Sequence, residues 1–174
     1  MAAWLQCAVL AWPDTALGNR LRAIYWKRRV RMGADPLLLR GSIMYGEPLI
    51  TAGEHLIMGQ NAILDASSSA GIWIGDNVAL ARDVFVRAAQ HRFDDLETPV
   101  WKSGHDCARL QYAGAEYSIV IEDGVTVSRG AMVLTGSRIG KGAVIGAGSV
   151  VSGPVPDYAI VMGNPGRVVR SRKT

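Results

Sequence analysis

The chain has 174 residues, 49% hydrophobic and 20% charged, with 20 glycines and only 7% aromatics, a composition that excludes a disordered or collagen-like chain and suits one packed domain. Its 19 basic and 15 acidic residues leave a net charge of +4, with the excess at the two ends, so anionic partners are favoured over cationic ones. Two cysteines, Cys7 and Cys107, exclude a disulfide scaffold and a CxxC metal motif and point to a reducing, cytoplasmic setting.

The first segment, "MAAWLQCAVLAW", has no basic n-region and falls short of the roughly 20 apolar residues needed to span a bilayer, so neither a secretion signal nor a transmembrane helix is expected. After it, "WPDTALGNRLRAIYWKRRVRMGAD" offers Asp14 or Thr15 as an N-cap, apolar positions at Leu17, Leu21, Ile24 and Tyr25, and a stop at Gly33. This predicts a helix within an N-terminal segment covering 1–40. The basic run "RLRAIYWKRRVR", with Trp4, Leu5 and Trp12, suits either contact with the anionic inner face of a membrane or packing on the end of the domain.

From 41 to 156 the sequence is organised by sixes. The clearest run begins at Ile121: "IEDGVT", "VSRGAM", "VLTGSR", "IGKGAV", "IGAGSV", "VSGPVP". Each first position is Ile or Val, each fifth is small or β-branched, and glycine collects between them. Six is a multiple of the strand period and not of 3.6, so these are short strands broken by turns, each placing an aliphatic side chain inward. The same phase recurs from Ile74 as "IGDNVA", "LARDVF", "VRAAQH", and more raggedly before that. The reading is a solenoid of stacked parallel strands about 4.8 Å apart, with Gly, Asn and Asp at its corners.

The rhythm fails from 91 to 118, "HRFDDLETPVWKSGHDCARLQYAGAEYS", and a nonperiodic stretch longer than about 15 residues inside a compact domain is usually functional. Trp101, Leu110, Tyr112 and Tyr117 are available to anchor it against its own coil or a neighbouring subunit. His91 stands where the regular coil meets this excursion, and a neutral imidazole is the side chain best matched to removing a proton near neutral pH, which makes it the candidate general base. After the coils, 157–174 breaks the hexads with Pro156 and Pro165 nearby and is expected to close the solenoid end.

The hexads, the loop "QHRFDD" followed by Pro99 and "IVIEDGVTV", and the tail "VPDYAIVMGNPGRVV" resemble the hexapeptide-repeat acyltransferases, in particular the sugar O-acetyltransferases that decorate surface polysaccharides. The resemblance runs from about Gly18 to Arg170. It implies an all-β, left-handed parallel β-helix with an N-terminal helix, and a homotrimer with active sites between neighbouring coils. It also implies an acetyl-CoA-dependent transfer to a saccharide hydroxyl with His91 as base, no metal and no nucleic-acid partner. Asn61 matches a position near the acceptor, and Asp65 is either a sugar ligand or a corner residue. For acetyl-CoA, Gly146, Ala147 and Gly148 offer bare backbone to the pantetheine arm, Asn164 and Pro165 fall in the matching tail, and Lys141, Arg167 and Arg170 offer cations to phosphates. The chain departs from the pattern at Thr126, Val127 and Ser128, where Trp-Ile-Gly is usual.

Three alternatives remain at this level. An antibiotic-modifying acetyltransferase uses the same chemistry, and a structural β-helix keeps the repeat without catalysis. A zinc site built on His55, His91 and His105 lacks the closely spaced histidine pair of the related zinc enzymes, and the adjacent residues of "HDC" seldom face one another as a Cys–His pair.

Overall fold

The computed structural model describes residues 8–173, so Trp4, Leu5 and Cys7 lie outside it. Helix α1 (Ala16–Lys27) starts where Thr15 Oγ1 accepts the Gly18 N–H at 3.1 Å. It ends at Lys27, short of the expected stop at Gly33. Gly33 serves a different purpose: a Cβ there would come within 2.8 Å of the Gly53 and Glu54 backbone of the coil beneath.

The coils follow in chain order. The first holds β1 (Arg31–Met32), β2 (Leu37–Leu38) and β3 (Ile43–Tyr45); the second β4 (Ile50–Ala52), β5 (Ile57–Met58) and β6 (Ile63–Asp65); the third β7 (Ile72–Ile74), β8 (Ala79–Leu80) and β9 (Phe85–Arg87). The chain then leaves the stack through β10 (Gln90–His91), β11 (His105–Asp106), β12 (Leu110–Tyr112) and β13 (Ala115–Tyr117). The fourth coil holds β14 (Ile119–Ile121), β15 (Thr126–Val127) and β16 (Met132–Leu134), the fifth β17 (Arg138–Ile139), β18 (Val144–Ile145) and β19 (Val150–Val151). A partial sixth has β20 (Pro154–Val155) and β21 (Ala159–Met162), and β22 (Arg167–Ser171) turns back antiparallel on β21 and covers the sheet edge.

Stacking the coils produces three parallel sheets. Face 1 is β1-β4-β7-β14-β17-β20, face 2 is β2-β5-β8-β15-β18-β21, and face 3 is β3-β6-β9-β16-β19. The expected parallel β-helix is therefore the fold of the chain, but its first coil begins at Arg31, ten residues inside the segment assigned to the N-terminal helical region. Val30, 3% exposed, and half-buried Met32 already alternate inward like strand residues.

Each hexad buries two side chains, where one was expected. The first positions Ile121, Val127, Val133, Ile139 and Ile145 are fully buried, and so are the fifth positions Val125, Ala131, Ser137, Ala143 and Ser149. Fifth and following first positions are two apart on one strand and so point the same way. The fifth lies just past a corner, where the triangular interior narrows, which favours Ala, Ser or Val. Buried Ser137 stays satisfied by donating to Leu134 O at 2.7 Å.

The corners need one residue each in left-handed conformation. In the fourth and fifth coils it is glycine, from Gly124 (φ 67°) to Gly148 (φ 66°), whereas in the second and third it is His55, Asn61, Asn77 and Asp83, all with φ between 56° and 61°. Asn and Asp tolerate this conformation better than most residues. At Gly59 the requirement is close approach instead, since a Cβ would lie 2.5 Å from Ala81 C and Arg82 N in the coil beneath. Gly59→Ala is expected to destabilise the fold by about 1–3 kcal/mol, read as a lower urea midpoint at unchanged slope; an unchanged midpoint would show that the coil relaxes freely.

Candidate functional site

The excursion is built of two antiparallel ribbons. It leaves from the end of β9 on face 3 and returns at Ser118, whose N–H donates to Gly71 O at 2.8 Å, so it departs from and re-enters at the same corner, between faces 3 and 1. The ribbon β12–β13 folds back over face 1. There the Tyr112 ring meets Trp73 at 4.6 Å between centroids, and the Arg138 guanidinium lies 5.3 Å from it. Burial in this position, reinforced by the Glu122 charge and opposed by Arg138, raises the Tyr112 phenol above its ordinary value. Tyr112 is thus an anchor to its own coil, while Trp101, at the outer part of the excursion, is 71% exposed.

His91 lies on the other ribbon, β10–β11, directly opposite His105. The two imidazoles stack with centroids 4.5 Å apart and planes tilted by 31°. In sequence His105 lies in the middle of the excursion, 14 positions after His91; the antiparallel pairing brings it to the candidate base. His91 borders a depression of about 320 Å³ on face 3, with Phe85, Arg87, Ala89, Leu134 and Thr135. His105 borders a polar depression of about 490 Å³ whose lining includes Ser68, Ser69, Asp106, Arg109 and Glu116. The imidazole pair therefore separates a partly apolar pocket from one rich in hydroxyl and charged groups. His55, held in a left-handed corner between faces 1 and 2, is remote from this pair.

Asp65 belongs to the site at one remove. It is 8% exposed, aligned with Arg87 across face 3 and ion-paired with it, and its Oδ1 accepts the Ser67 N–H at 2.9 Å. Arg87 in turn lines the His91 pocket and donates to Ala89 O at 3.0 Å. The Asp65 carboxylate is thus committed to fixing Arg87 and a turn. Asn61 is not brought to His91: it occupies the corner between β5 and β6, at the opposite edge of face 3, where its Nδ2 reaches Asp83 Oδ1 at 3.3 Å. The structure gives it a corner role.

The residues picked for the acetyl-CoA side fall into two groups. Gly146–Gly148 and the 163–167 turn meet at the corner between faces 2 and 3: Gly146 N–H donates to Val161 O at 2.8 Å, Gly163 N–H to Ser149 Oγ at 3.0 Å, and Gly166 N–H to Val150 O at 2.7 Å. The Asn164–Pro165 peptide in that turn is cis, and Arg167 follows at the start of β22. Lys141 lies at the far edge of face 2, where its carbonyl accepts the Tyr158 N–H, and Arg170 pairs with Ile160 between the two edges. Among the described residues Lys141, Arg167 and Arg170 enter no ion pair, and nothing lies within 4 Å of a Cβ built on Gly148. Bare backbone and uncommitted cations suit an extended, phosphate-bearing ligand. Within one chain, however, this corner and His91 are at opposite edges of face 3. Thr126, Val127 and Ser128, which replace the usual Trp-Ile-Gly, run along face 2 to its corner with face 3 in the fourth coil, at the opposite edge of face 3 from His91.

Residues 118–153 match the bacterial transferase hexapeptide family model. The chain is 34% identical over 138 residues, 76% of its length, to Probable acetyltransferase Rv3034c of Mycobacterium tuberculosis, and spans 38% of that longer protein. A hexapeptide-repeat acetyltransferase from Vibrio cholerae, solved in complex with acetyl coenzyme A, superposes with a TM-score of 0.76 at 25% identity, covering 99% of this chain and 86% of that one. A maltose O-acetyltransferase from Clostridium difficile does so with a TM-score of 0.70 at 22% identity, covering 99% and 84%.

Proposed function

We propose that the chain, whose residues 118–153 match the hexapeptide-repeat family model, is an acetyl-CoA-dependent O-acetyltransferase acting on a saccharide hydroxyl, with His91 as general base. The observation that carries this reading is the placement of His91 on a two-stranded ribbon between a pocket on face 3 and a polar pocket. Relatives of the fold that bind acetyl coenzyme A or acetylate maltose support the choice of donor and acceptor class.

The chemistry is direct transfer. The His91 imidazole takes the proton of an acceptor hydroxyl as its oxygen attacks the thioester carbonyl carbon. The tetrahedral oxyanion then collapses with cleavage of the C–S bond, and the departing CoA thiolate recovers the proton from the imidazolium. Hydroxyls and carboxylates at Ser68, Ser69, Asp106 and Glu116 provide acceptors and donors for a polyhydroxylated substrate beside the ribbon.

The acetyl-CoA groove is assigned to Gly146–Gly148, Asn164, Pro165 and Arg167 with Lys141 and Arg170 at its margin. Since this groove and His91 are at opposite edges of one face, a neighbouring copy is required to complete the site, and a homotrimer is the assembly proposed. The outward side chains of face 3 support burial against another chain: Ile43, Ile63, Phe85, Met132 and Val150 align in register as an apolar ladder. Sedimentation equilibrium is expected to give three times the chain mass; a monomer with full activity would remove the shared-site reading.

The test of the activity is release of free CoA thiol from acetyl-CoA with a panel of neutral sugars, glycosides and sugar nucleotides. Acceptor-dependent thiol release supports the proposal. Failure to bind acetyl-CoA by calorimetry, together with no turnover on any acceptor, overturns it.

A further inference from the structure

Helix α1 turns an unusual face outward. Leu17 is 58% exposed and Ile24 44%, and Leu21 lies between them on the same helical stripe. Together with Val9, Tyr25, Arg28 and Arg29, Leu21 and Ile24 line an apolar groove of about 520 Å³. The inner face is already committed: Trp26 and Arg22 are fully buried against the first coil.

Charge surrounds the exposed stripe with one sign only. From Thr15 to Ala34 the charged residues are Arg20, Arg22, Lys27, Arg28, Arg29 and Arg31, with no acid among them. Arg22 is buried; the other five reach solvent wholly or in part. Two carboxylates bound this run in sequence: Asp14 is turned inward onto Arg22, the Arg40 N–H and Gln60, and exposed Asp35 follows β1, beyond the helix. The Arg29 guanidinium rests 3.8 Å from the Tyr25 ring and so stays at the rim of the groove.

We infer that this helix face docks on an anionic lipid surface, lying in the headgroup plane with Leu17, Leu21 and Ile24 inserted and Arg20, Lys27 and Arg28 among the headgroups. An apolar stripe flanked by cations is the pattern that binds such surfaces. Each cation near a negatively charged leaflet strengthens binding about fivefold. A second copy packed face to face on the same helix would set like charges against one another, which disfavours self-association here. This inference is independent of the proposed transfer reaction and places α1, at one end of the solenoid, on the lipid side.

The experiment uses the full chain with vesicles of pure phosphatidylcholine or of phosphatidylcholine with about 30% phosphatidylglycerol, separated by flotation. Wild type is expected to float with the anionic vesicles, to be released by high salt, and to stay behind with the neutral ones. Leu17→Glu with Ile24→Glu, and separately Arg20→Glu with Lys27→Glu and Arg28→Glu, are expected to weaken binding at least about tenfold while circular dichroism and melting temperature stay at wild-type values. Equal binding to neutral vesicles, or no binding to anionic ones, overturns the inference. A drop in sedimenting mass in these variants also overturns it, because the face would then be covered by another copy. Thiol release from acetyl-CoA is followed alongside, so loss of lipid binding and loss of activity are read separately.

Discussion

Replacing His91 with alanine is expected to lower kcat by about 10²- to 10⁴-fold, the contribution of a positioned general base, with little change in the KM for acetyl-CoA. In the proposed shared site the residues assigned to that ligand come from a neighbouring copy and hold its pantetheine arm and phosphates, while His91 meets only the reacting hydroxyl, so the loss falls on the chemical step and not on donor binding. Calorimetric affinity for acetyl-CoA checks this second half. A variant that keeps wild-type kcat would remove His91 from the mechanism even if the protein proves to be an acetyltransferase.

His105 extends the same test. Its ring is stacked on His91 and held opposite it by ribbon pairing, so in the proposed mechanism its part is to orient the base. His105→Ala is expected to reduce kcat by up to about 100-fold, the scale associated with small misplacement of a catalytic group. His105→Phe, which keeps a flat ring against His91, is expected to recover most of it. Equal loss in both variants would mean that the His105 nitrogens matter in their own right.

The largest expected effect on stability is at Arg22. Its guanidinium is fully buried at the end of the solenoid, donating to Leu38 O at 2.6 Å, Trp12 O at 2.6 Å, Asp14 Oδ1 at 2.7 Å and Asn19 Oδ1 at 2.5 Å. It ties α1, the turn before it and the first coil into one network. Arg22→Ala leaves the Leu38 and Trp12 carbonyls and the Asn19 amide oxygen without this donor, takes the cation from Asp14 and opens a void, at a cost of about 3 kcal/mol or somewhat more, or a melting temperature lower by roughly 6–12 °C for a chain of this size. Arg22→Met fills the volume without the hydrogen bonds. A methionine variant as stable as wild type would show that packing, and not the network, holds the helix.

The same cluster sets an acid limit. Burial alone would raise the Asp14 carboxyl, but hydrogen bonds from Gln60 Nε2 and the Arg40 N–H, with the Arg22 charge, outweigh it and hold the group below its ordinary value. A carboxyl depressed in the folded state contributes stability that is fully present above its unfolded pKa of about 3.9 and is lost as pH falls through the lower folded value. Wild type is therefore expected to lose stability below about pH 4 more steeply than Asp14→Asn, as urea midpoints at successive pH values would show.

What could be read from the sequence was whatever repeats. Ile121, Val127, Val133, Ile139 and Ile145 mark the interior because period six forces them to, and His91 stands out as the point where that period stops. The first coil was hidden inside a basic run: Val30 and Met32 alternate like strand residues, but the arginines around them look like more helix. His105 could not be found because its partner is set by pairing with a residue 14 positions away, without any periodicity between them. Asn61 shows a local ambiguity, since an asparagine at a left-handed corner and one at a ligand site look alike in sequence.

The return of the excursion to its own point of departure has one more consequence. β9 stacks on β16, and β7 on β14, in unbroken register beneath it, so the solenoid treats residues 90–117 as a side branch. Catalytic equipment hung on such a branch can be lengthened, exchanged or discarded by successive mutations without any step that unsettles the trunk. The scaffold and the chemistry it carries are thus free to evolve on separate clocks.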